Sequence, residues 1–240
     1  MKVKKFAALV AVIGVITAIA TCLTACKVNP DTKLQEFTLQ KDVVRVGIIS
    51  DSQLAKTDGD NEYQNSLIRA LSVLKARGAD MILFAGDITD LSKSKAYDLY
   101  NEAYDNVYGD NRPIVQTIMG NHDYWGNGTA GTCRRLFEKK IGHSPWTHYV
   151  VNGYHFIGAS PDCGSMDNGY SKLTQWLRTQ IDKAVAADPD KPVFVMTHNG
   201  ARNTTYGTDE WGDDSLDKVL KDYDTVISIS GHSHYSLLDE

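Results

Sequence analysis

The sequence predicts an α/β domain. β-Branched apolar runs alternate with amphipathic segments of helical spacing along most of the chain, and several of these runs end in short polar groups. Of the 240 residues, 42% are hydrophobic and 23% are charged, which is typical of soluble globular proteins. Alternation of strands and helices is characteristic of α/β folds. A single large domain is therefore expected.

The first half of the domain follows this alternation. Residues 43–50 (VVRVGIIS) predict a buried strand, and MILFAG (81–86) and PIVQTIMG (113–120) predict the next two. Between the first two strands, a helix ending at Gly78 is indicated by apolar residues at helical spacing, namely Leu67, Ile68, Leu71 and Leu74. A tyrosine-rich helix is expected between the second and third strands, with Tyr97, Tyr100, Tyr104 and Val107 along one side.

The second half begins with residues 121–146, which are rich in Gly, Asn, His and Trp and interrupt the alternation. Residues 147–160 (THYVVNGYHFIGAS) predict two strands joined at an Asn-Gly turn. The apolar residues from 173 to 185 predict an amphipathic helix. A strand (PVFVMT), a short helix at about 214–222 and a last strand (TVISIS) complete the pattern.

The N-terminus has the layout of an export signal. MKVKK precedes an uncharged apolar run, and LTAC, ending at Cys26, resembles the lipobox of bacterial lipoproteins. Residues 1–25 are therefore expected to be a lipoprotein signal peptide, with Cys26 lipidated and the protein held on the extracytoplasmic face of a bacterial membrane. A single N-terminal transmembrane anchor and ordinary secretion are the alternatives. Residues 26–41 are predicted to be a polar tether to a domain spanning 42–240.

Charge and cysteine content exclude some functions. Removing the signal takes away Lys2, Lys4 and Lys5, so the formal charge goes from −5 to −8, which argues against nucleic-acid binding. Cys133 and Cys163 remain in the domain. They could pair in an oxidising compartment or stay as buried thiols, and no zinc-type cysteine cluster is present.

Short polar groups follow five of the predicted strands. They are Asp51-Ser52-Gln53, Gly86-Asp87, Gly120-Asn121-His122-Asp123, His198-Asn199 and Gly231-His232-Ser233-His234. Any one of them has an ordinary structural explanation, because an Asp after a strand is usually a cap or turn residue. Together they indicate a site, since α/β sheets bind ligands at the carboxyl ends of their strands. His143, His148 and His155 are interpreted as structural.

Four motifs of the chain occur in the order GDITD, GNHD, a lone His after a strand, and GHSH. Together they resemble the motifs of the calcineurin-like metallophosphoesterases over residues 43–236. The resemblance implies a four-layer α/β/β/α sandwich. In that family further strands follow the last motif and complete the second sheet, whereas only residues 235–240 follow here. The chain is therefore expected to be a truncated fragment or a short member, with an incomplete second sheet and an exposed apolar edge.

The resemblance also implies an enzyme that hydrolyses phosphate esters with two divalent ions and a metal-bound hydroxide as nucleophile. The implied bridging ligand is Asp87. The implied terminal ligands are Asp51, Gln53 and His234 for one ion, and Asn121, His198 and His232 for the other. His122 would assist the leaving group, and Asp123 would orient its imidazole.

Two departures from the family refine the expected metal. The family commonly has Asp-x-His where this chain has Asp51-Ser52-Gln53, and an amide oxygen favours Mn²⁺, with Mg²⁺, Fe²⁺ and Zn²⁺ as alternatives. A weakened site with lost activity is the competing interpretation. Asp90 occupies the place of the iron-binding tyrosine of purple acid phosphatases, so a ferric site is not expected.

The expected partner is a small phosphate ester, either a monoester or a diester, bound by a monomer. Loops at 124–133, 160–170 and 199–214 should select it, and their aromatic residues either stack on substrate or pack the loops. The alternatives to this enzyme are a noncatalytic metal-binding surface lipoprotein and a nuclease of the same superfamily.

Overall fold

The structure is a computed structural model that describes residues 32–55, 62–126 and 128–235. The export signal and Cys26 lie outside these residues. The strands are β1 (Leu34–Phe37), β2 (Val46–Ile49), β3 (Met81–Phe84), β4 (Ile114–Thr117), β5 (Trp146–Val151), β6 (Tyr154–Ala159), β7 (Val193–Thr197) and β8 (Val226–Ile229). The helices are α1 (Glu62–Ala76), α2 (Ser94–Tyr108), α3 (Ala130–Ile141), α4 (Thr174–Ala187), α5 (Thr208–Trp211) and α6 (Asp214–Leu220).

These elements form two sheets. One has the order β2-β3-β4 and the other β1-β5-β6-β7-β8. All neighbouring strands are parallel except the β5–β6 hairpin. Its turn uses Asn152 and Gly153, whose φ angles of 50° and 78° are those that an Asn-Gly hairpin turn requires. The strands, the hairpin and the longer predicted helices are thereby confirmed.

Alternate side chains of β3 enter different cores, which shows how the layers stack. Ile82 and Phe84 pack with the buried residues of α1, α2 and α3, whereas Met81 and Leu83 pack against side chains of β5, β6 and β7. On the far side of the second sheet, α4 contacts β6 and β7. The order helices, sheet, sheet, helices is the predicted α/β/β/α sandwich, which is confirmed.

Two predictions about regular structure were wrong. Part of the predicted tether forms β1, which pairs in parallel with β5 from Leu34 opposite His148 to Phe37 opposite Val151. The domain therefore begins before residue 42. The interrupted stretch at 121–146 contains α3, whose first turn is capped by Thr129.

Cys133, His148 and His155 have packing roles. The thiol of Cys133 donates to a carbonyl and forms no disulfide with Cys163 in the described part of the chain. The ring of His148 is hydrogen bonded to Gln180 (3.1 Å) and to His155 (2.8 Å). Burial lowers the pKa of His148 to about 4. A neutral ring pair inside the hairpin fits the structural interpretation of these histidines.

Apolar side chains are exposed at one border of the sandwich. β2 and β8 are edge strands among the described residues, and on them Ile48 and Ile227 are 51% and 46% exposed. A groove of about 680 Å³ lies along this border. The expected exposed apolar edge is thus present, while truncation of the chain stays a prediction. Within the described ranges, no helix has the length and apolarity needed to cross a membrane.

Candidate metal centre

The polar groups that follow β2, β3, β4, β7 and β8 meet at one end of the sandwich, although these strands belong to different sheets. His198 Nε2 lies 3.2 Å from Asp87 Oδ2, 3.1 Å from Asn121 Oδ1 and 3.2 Å from His232 Nδ1. Potential ligand atoms of Asp87, His198 and His232 all lie within 4.8 Å of one another. Four potential ligand atoms therefore face a common point.

The remaining predicted ligands lie next to this group. His234 Nε2 is 3.0 Å from Asp51 Oδ1, which is 4.0 Å from His198 Nε2. Gln53 is buried and lines a cavity of about 250 Å³ together with Asp87 and His234. The structure thus brings all seven predicted metal ligands together, with Asp87 and His198 at the centre.

Hydrogen bonding fixes which nitrogen of His198 can bind a metal. Nδ1 lies 2.8 Å from the carbonyl oxygen of Ala85, which accepts only, so Nδ1 carries the proton. Nε2, facing Asp87 and Asn121, then has a free lone pair in the neutral ring. Metal-binding histidines are commonly held in this way by a carbonyl or carboxylate.

The charges at this site call for a cation. Burial by itself would lower the pKa of His198, but Asp87 and Asp51 raise it to about 9. Burial by itself would raise the pKa of Asp51, but the hydrogen bond from His234 and the charge of His198 lower it to about 2. Both shifts mean that the buried carboxylates stabilise positive charge. With its carboxylates, amide oxygens and imidazoles, the donor set fits a divalent transition metal.

Five of the seven predicted ligands have an unusual backbone conformation. Positive φ angles occur at Asp51 (58°), Gln53 (40°), Asp87 (52°), His232 (76°) and His234 (56°). Residues other than Gly rarely adopt this region, and such strain clusters at functional sites. The turns after β2, β3 and β8 thereby depart from ordinary strand geometry at the residues that carry these side chains.

Glycines before the ligands make room for them. A Cβ on Gly86 would lie 2.7 Å from His198 Nδ1, closer than a carbon and a nitrogen can pack. A Cβ on Gly120 would meet the Asp87 carboxylate, and one on Gly231 would meet Asp51. The glycine of each motif is therefore needed for close backbone approach, as expected for Gly231 from the sequence.

His122 lies at the rim of the same cavity. Its backbone N–H donates to Asp87 Oδ1 (2.9 Å), and its Nε2 is 3.9 Å from Asp87 Oδ2. Its Nδ1 is 3.1 Å from the carbonyl oxygen of Asp90 and 3.4 Å from the Asp90 carboxylate. Nε2 is therefore the nitrogen that can serve a bound substrate.

The expectation that Asp123 orients His122 is wrong. The Asp123 carboxylate is fully buried and accepts from the backbone N–H groups of Ile88, Thr89 and Gly120 and from the Thr89 hydroxyl. It ties the loop after β4 to the loop after β3. Asp90 is the residue that orients His122, which sequence reasoning missed even though GDITD places it three residues after Asp87.

Aromatic residues of the predicted substrate loops differ in their roles. The ring centroids of Trp125 and His122 lie 4.0 Å apart with the planes tilted by 44°, and Trp211 lines the cavity. Tyr124 is buried and serves packing. Tyr206 is 70% exposed and lines the separate border groove.

Comparisons with known proteins agree with this geometry. The chain matches the family model of the calcineurin-like phosphoesterases over residues 44–236. It is 26% identical over 167 residues to a probable glycerophosphodiester phosphodiesterase from Arcobacter nitrofigilis, covering 65% of this chain and 56% of the relative. It is 28% identical over 182 residues to a probable cyclic nucleotide phosphodiesterase from Rhodococcus erythropolis, covering 71% and 57%. The chain thus spans a little over half the length of these curated relatives.

Two solved structures share the fold. A dimetal phosphatase from Danio rerio superposes with a TM-score of 0.58 at 14% identity, covering 80% of this chain and 82% of the other. A purple acid phosphatase from yellow lupin (Lupinus luteus) seeds gives 0.59 at 17% identity, covering 80% and 38%. At these identities the likeness concerns the fold alone. Because the family model covers most of the sequence and its motifs form the site, the chain belongs to the calcineurin-like phosphoesterase family.

Proposed function

We propose that this protein hydrolyses phosphate esters with two divalent metal ions. The observation that carries the proposal is the convergence of Asp87, Asn121, His198 and His232 on one point, with Asp51 and His234 beside it. Asp87 would be shared by both ions, with Asp51, Gln53 and His234 holding one and Asn121, His198 and His232 the other. Bound divalent ions supply an activated water and neutralise charge on the phosphoryl oxygens.

The chain's own side chains would complete the reaction. His122 donates Nδ1–H to the Asp90 carbonyl, so its Nε2 faces the cavity; in the doubly protonated ring Nε2–H can pass its proton to the leaving oxygen, which leaves the ring neutral. Trp125 packs against the imidazole, with the two ring centroids 4.0 Å apart, and limits its rotation. His122 and Asp90 therefore form the proposed acid and its positioning partner.

A phosphodiester is the proposed substrate class. None of the described residues that line the cavity is a lysine or an arginine. A monoester carries nearly two negative charges at neutral pH, because its second pKa is about 6, whereas a diester carries one. Beside the two proposed metal ions, the described lining has no lysine or arginine to balance a second substrate charge, so the site is better matched to the single charge. The two curated relatives are named as probable phosphodiesterases, which supports the same choice.

Turnover of two matched nitrophenyl esters tests this proposal. The purified protein, stripped with a chelator and reloaded with Mn²⁺, is assayed with bis(4-nitrophenyl) phosphate and with 4-nitrophenyl phosphate. We expect kcat/KM to be at least about tenfold higher for the diester, since one charge mismatch at a partly buried site costs on the order of 1 to 2 kcal/mol. Equal values, or a preference for the monoester, would contradict the substrate class. Absence of metal-dependent turnover with both esters would contradict the enzyme.

Manganese is the proposed metal at the Gln53 site. The donors proposed there are the carboxylates of Asp51 and Asp87, the Gln53 amide oxygen and the imidazole of His234, a mainly oxygen set that suits Mn²⁺ better than Zn²⁺. Metal analysis of protein purified without chelator, followed by reloading with each ion, would show which ion gives turnover. Activity only with Zn²⁺ would refute this choice.

We also propose that the domain is anchored outside the cytoplasm through a lipid on Cys26. The charged start, the apolar run and LTAC support this. Wild-type protein from cells grown with a labelled fatty acid should carry the label, and Cys26→Ser should not. Absence of label in the wild type, or equal labelling of both forms, would refute lipid anchoring.

A further inference from the structure

The loop formed by residues 161–170 lies across the metal-binding loops and is fastened to them by side chains. The Trp125 indole N–H donates to the carbonyl oxygen of Gly164 (2.9 Å), and the Tyr124 hydroxyl donates to that of Pro161 (2.6 Å). These donors belong to the segment that also carries Asn121 and His122. The 161–170 loop is therefore held in place by the chain segment that supplies the site.

Met166 is where this loop reaches the site, because it lines the same cavity as Asp87 and Asn121. The side-chain amide of Asn121 donates from Nδ2 to the sulfur of Met166 at 3.2 Å. The side-chain amide of Asn199, the neighbour of His198, donates to the Met166 backbone carbonyl at 2.8 Å. The loops that carry Asn121 and Asn199 thus both donate hydrogen bonds to Met166. Asn121 bonds its sulfur, and Asn199 bonds its backbone carbonyl.

The contact with sulfur determines which end of the Asn121 amide faces the ligands. A thioether accepts hydrogen bonds and cannot donate them, so it selects the NH₂ end. Asn121 Oδ1 then lies 3.1 Å from His198 Nε2, at the shared point of the ligand atoms. A flipped amide would set its oxygen against the sulfur and its N–H groups toward the metal position. Because Asn121 is fully buried, bulk water does not offer an alternative partner.

We propose that Met166 is a positioning residue that holds the carbonyl oxygen of Asn121 toward the metal shared with His198 and His232. The assignment rests on the proposed function, because it concerns a ligand of the second ion. Loss of a hydrogen-bond partner behind a metal ligand typically weakens metal binding 10- to 100-fold. A thioether is a weak acceptor, so the effect of removing it should be near the lower end, about tenfold.

Two substitutions separate the acceptor from the bulk of the side chain. Met166→Leu keeps a similar volume and removes the acceptor, whereas Met166→Gln supplies an amide oxygen of similar reach. Met81→Leu is the matched control, since Met81 is buried between the two sheets at the start of β3. Equilibrium dialysis of each chelator-stripped protein against graded Mn²⁺ gives the two dissociation constants, and thermal melting verifies that each variant is folded.

The expected result is that Met166→Leu weakens one of the two Mn²⁺ sites about tenfold and leaves the other unchanged. Met166→Gln should restore the weakened site, and Met81→Leu should match the wild type. Unchanged constants in Met166→Leu, or failure of Met166→Gln to restore them, would overturn the positioning role alone. Binding of fewer than two Mn²⁺ per wild-type chain would overturn the proposed function together with it.

Discussion

Replacing Asp87 with Asn is expected to reduce metal-dependent turnover of a phosphodiester by at least about 10³-fold, comparable to removing a major electrostatic group from an active site. Asp87 is the proposed bridging carboxylate: Oδ2 lies 3.2 Å from His198 Nε2, Oδ1 accepts from His122 N–H at 2.9 Å, and its side chain lines the same cavity as Gln53 and His234. Asn has the same shape but no charge and a single oxygen. It can retain the His122 contact, yet it cannot bridge two cations.

Turnover and metal content measured on the same preparations test this expectation. Asp80→Asn is the matched control, because Asp80 bonds Lys41 and the backbone N–H of Arg45 at the opposite end of β3. The control should keep full activity, while Asp87→Asn should bind fewer than two ions per chain. An Asp87→Asn protein that retains two ions and more than a tenth of wild-type turnover would refute Asp87 as the bridging ligand.

The second large effect is expected for His122→Ala, and it should depend on the leaving group. General acid assistance contributes about 10²- to 10⁴-fold when the leaving oxygen needs a proton. Turnover of a methyl 4-nitrophenyl diester, which expels a stable nitrophenolate, should fall far less than turnover of a dialkyl diester. His122 is not a proposed ligand, and its hydrogen bond to Asp87 comes from the backbone N–H, which alanine keeps, so metal content should stay at the wild-type level.

Asp90→Asn tests the positioning of His122 and is expected to have a smaller effect than His122→Ala. Its backbone carbonyl still accepts from His122 Nδ1, whereas the carboxylate at 3.4 Å loses its charge. The loss should therefore follow the same leaving-group pattern with a smaller amplitude. Equal losses in His122→Ala for both kinds of leaving group would show that His122 does not protonate the leaving oxygen.

Sequence patterns predicted the parts of the fold that depend on local signals. These signals are short in sequence, each lying within about fifteen residues. They are the β-branched runs, the Asn-Gly turn and the apolar periodicity of α1, α2 and α4. β1 was missed because LQEF has no strong strand pattern, and its pairing with β5 joins residues 114 positions apart, such as Leu34 and His148. α3 was missed because Gly and Asn residues precede it, although the Thr129 cap and the left-handed Gly142 mark its ends.

The same distinction applies to the site. The candidate ligands could be named from the sequence because the polar groups follow strands and because their motifs resemble those of the calcineurin-like metallophosphoesterases, which imply the ligand set. The partner of His122 could not be chosen that way, since Asp90 and Asp123 are both nearby in sequence and only the folded loops show which one faces the ring. Met166 belongs to no motif, and its contact with Asn121 spans 45 residues. A residue that positions a metal ligand through a long-range contact, as Met166 does, can be identified only from the folded structure.

The most direct test of the dinuclear site is electron paramagnetic resonance of the Mn²⁺-loaded protein. Two ions that share the Asp87 carboxylate must be magnetically coupled, and separate ions are not. We predict two Mn²⁺ per chain and a coupled spectrum that is lost in Asp87→Asn. One Mn²⁺ per chain, or two with the simple six-line spectrum of isolated ions, would contradict a shared site.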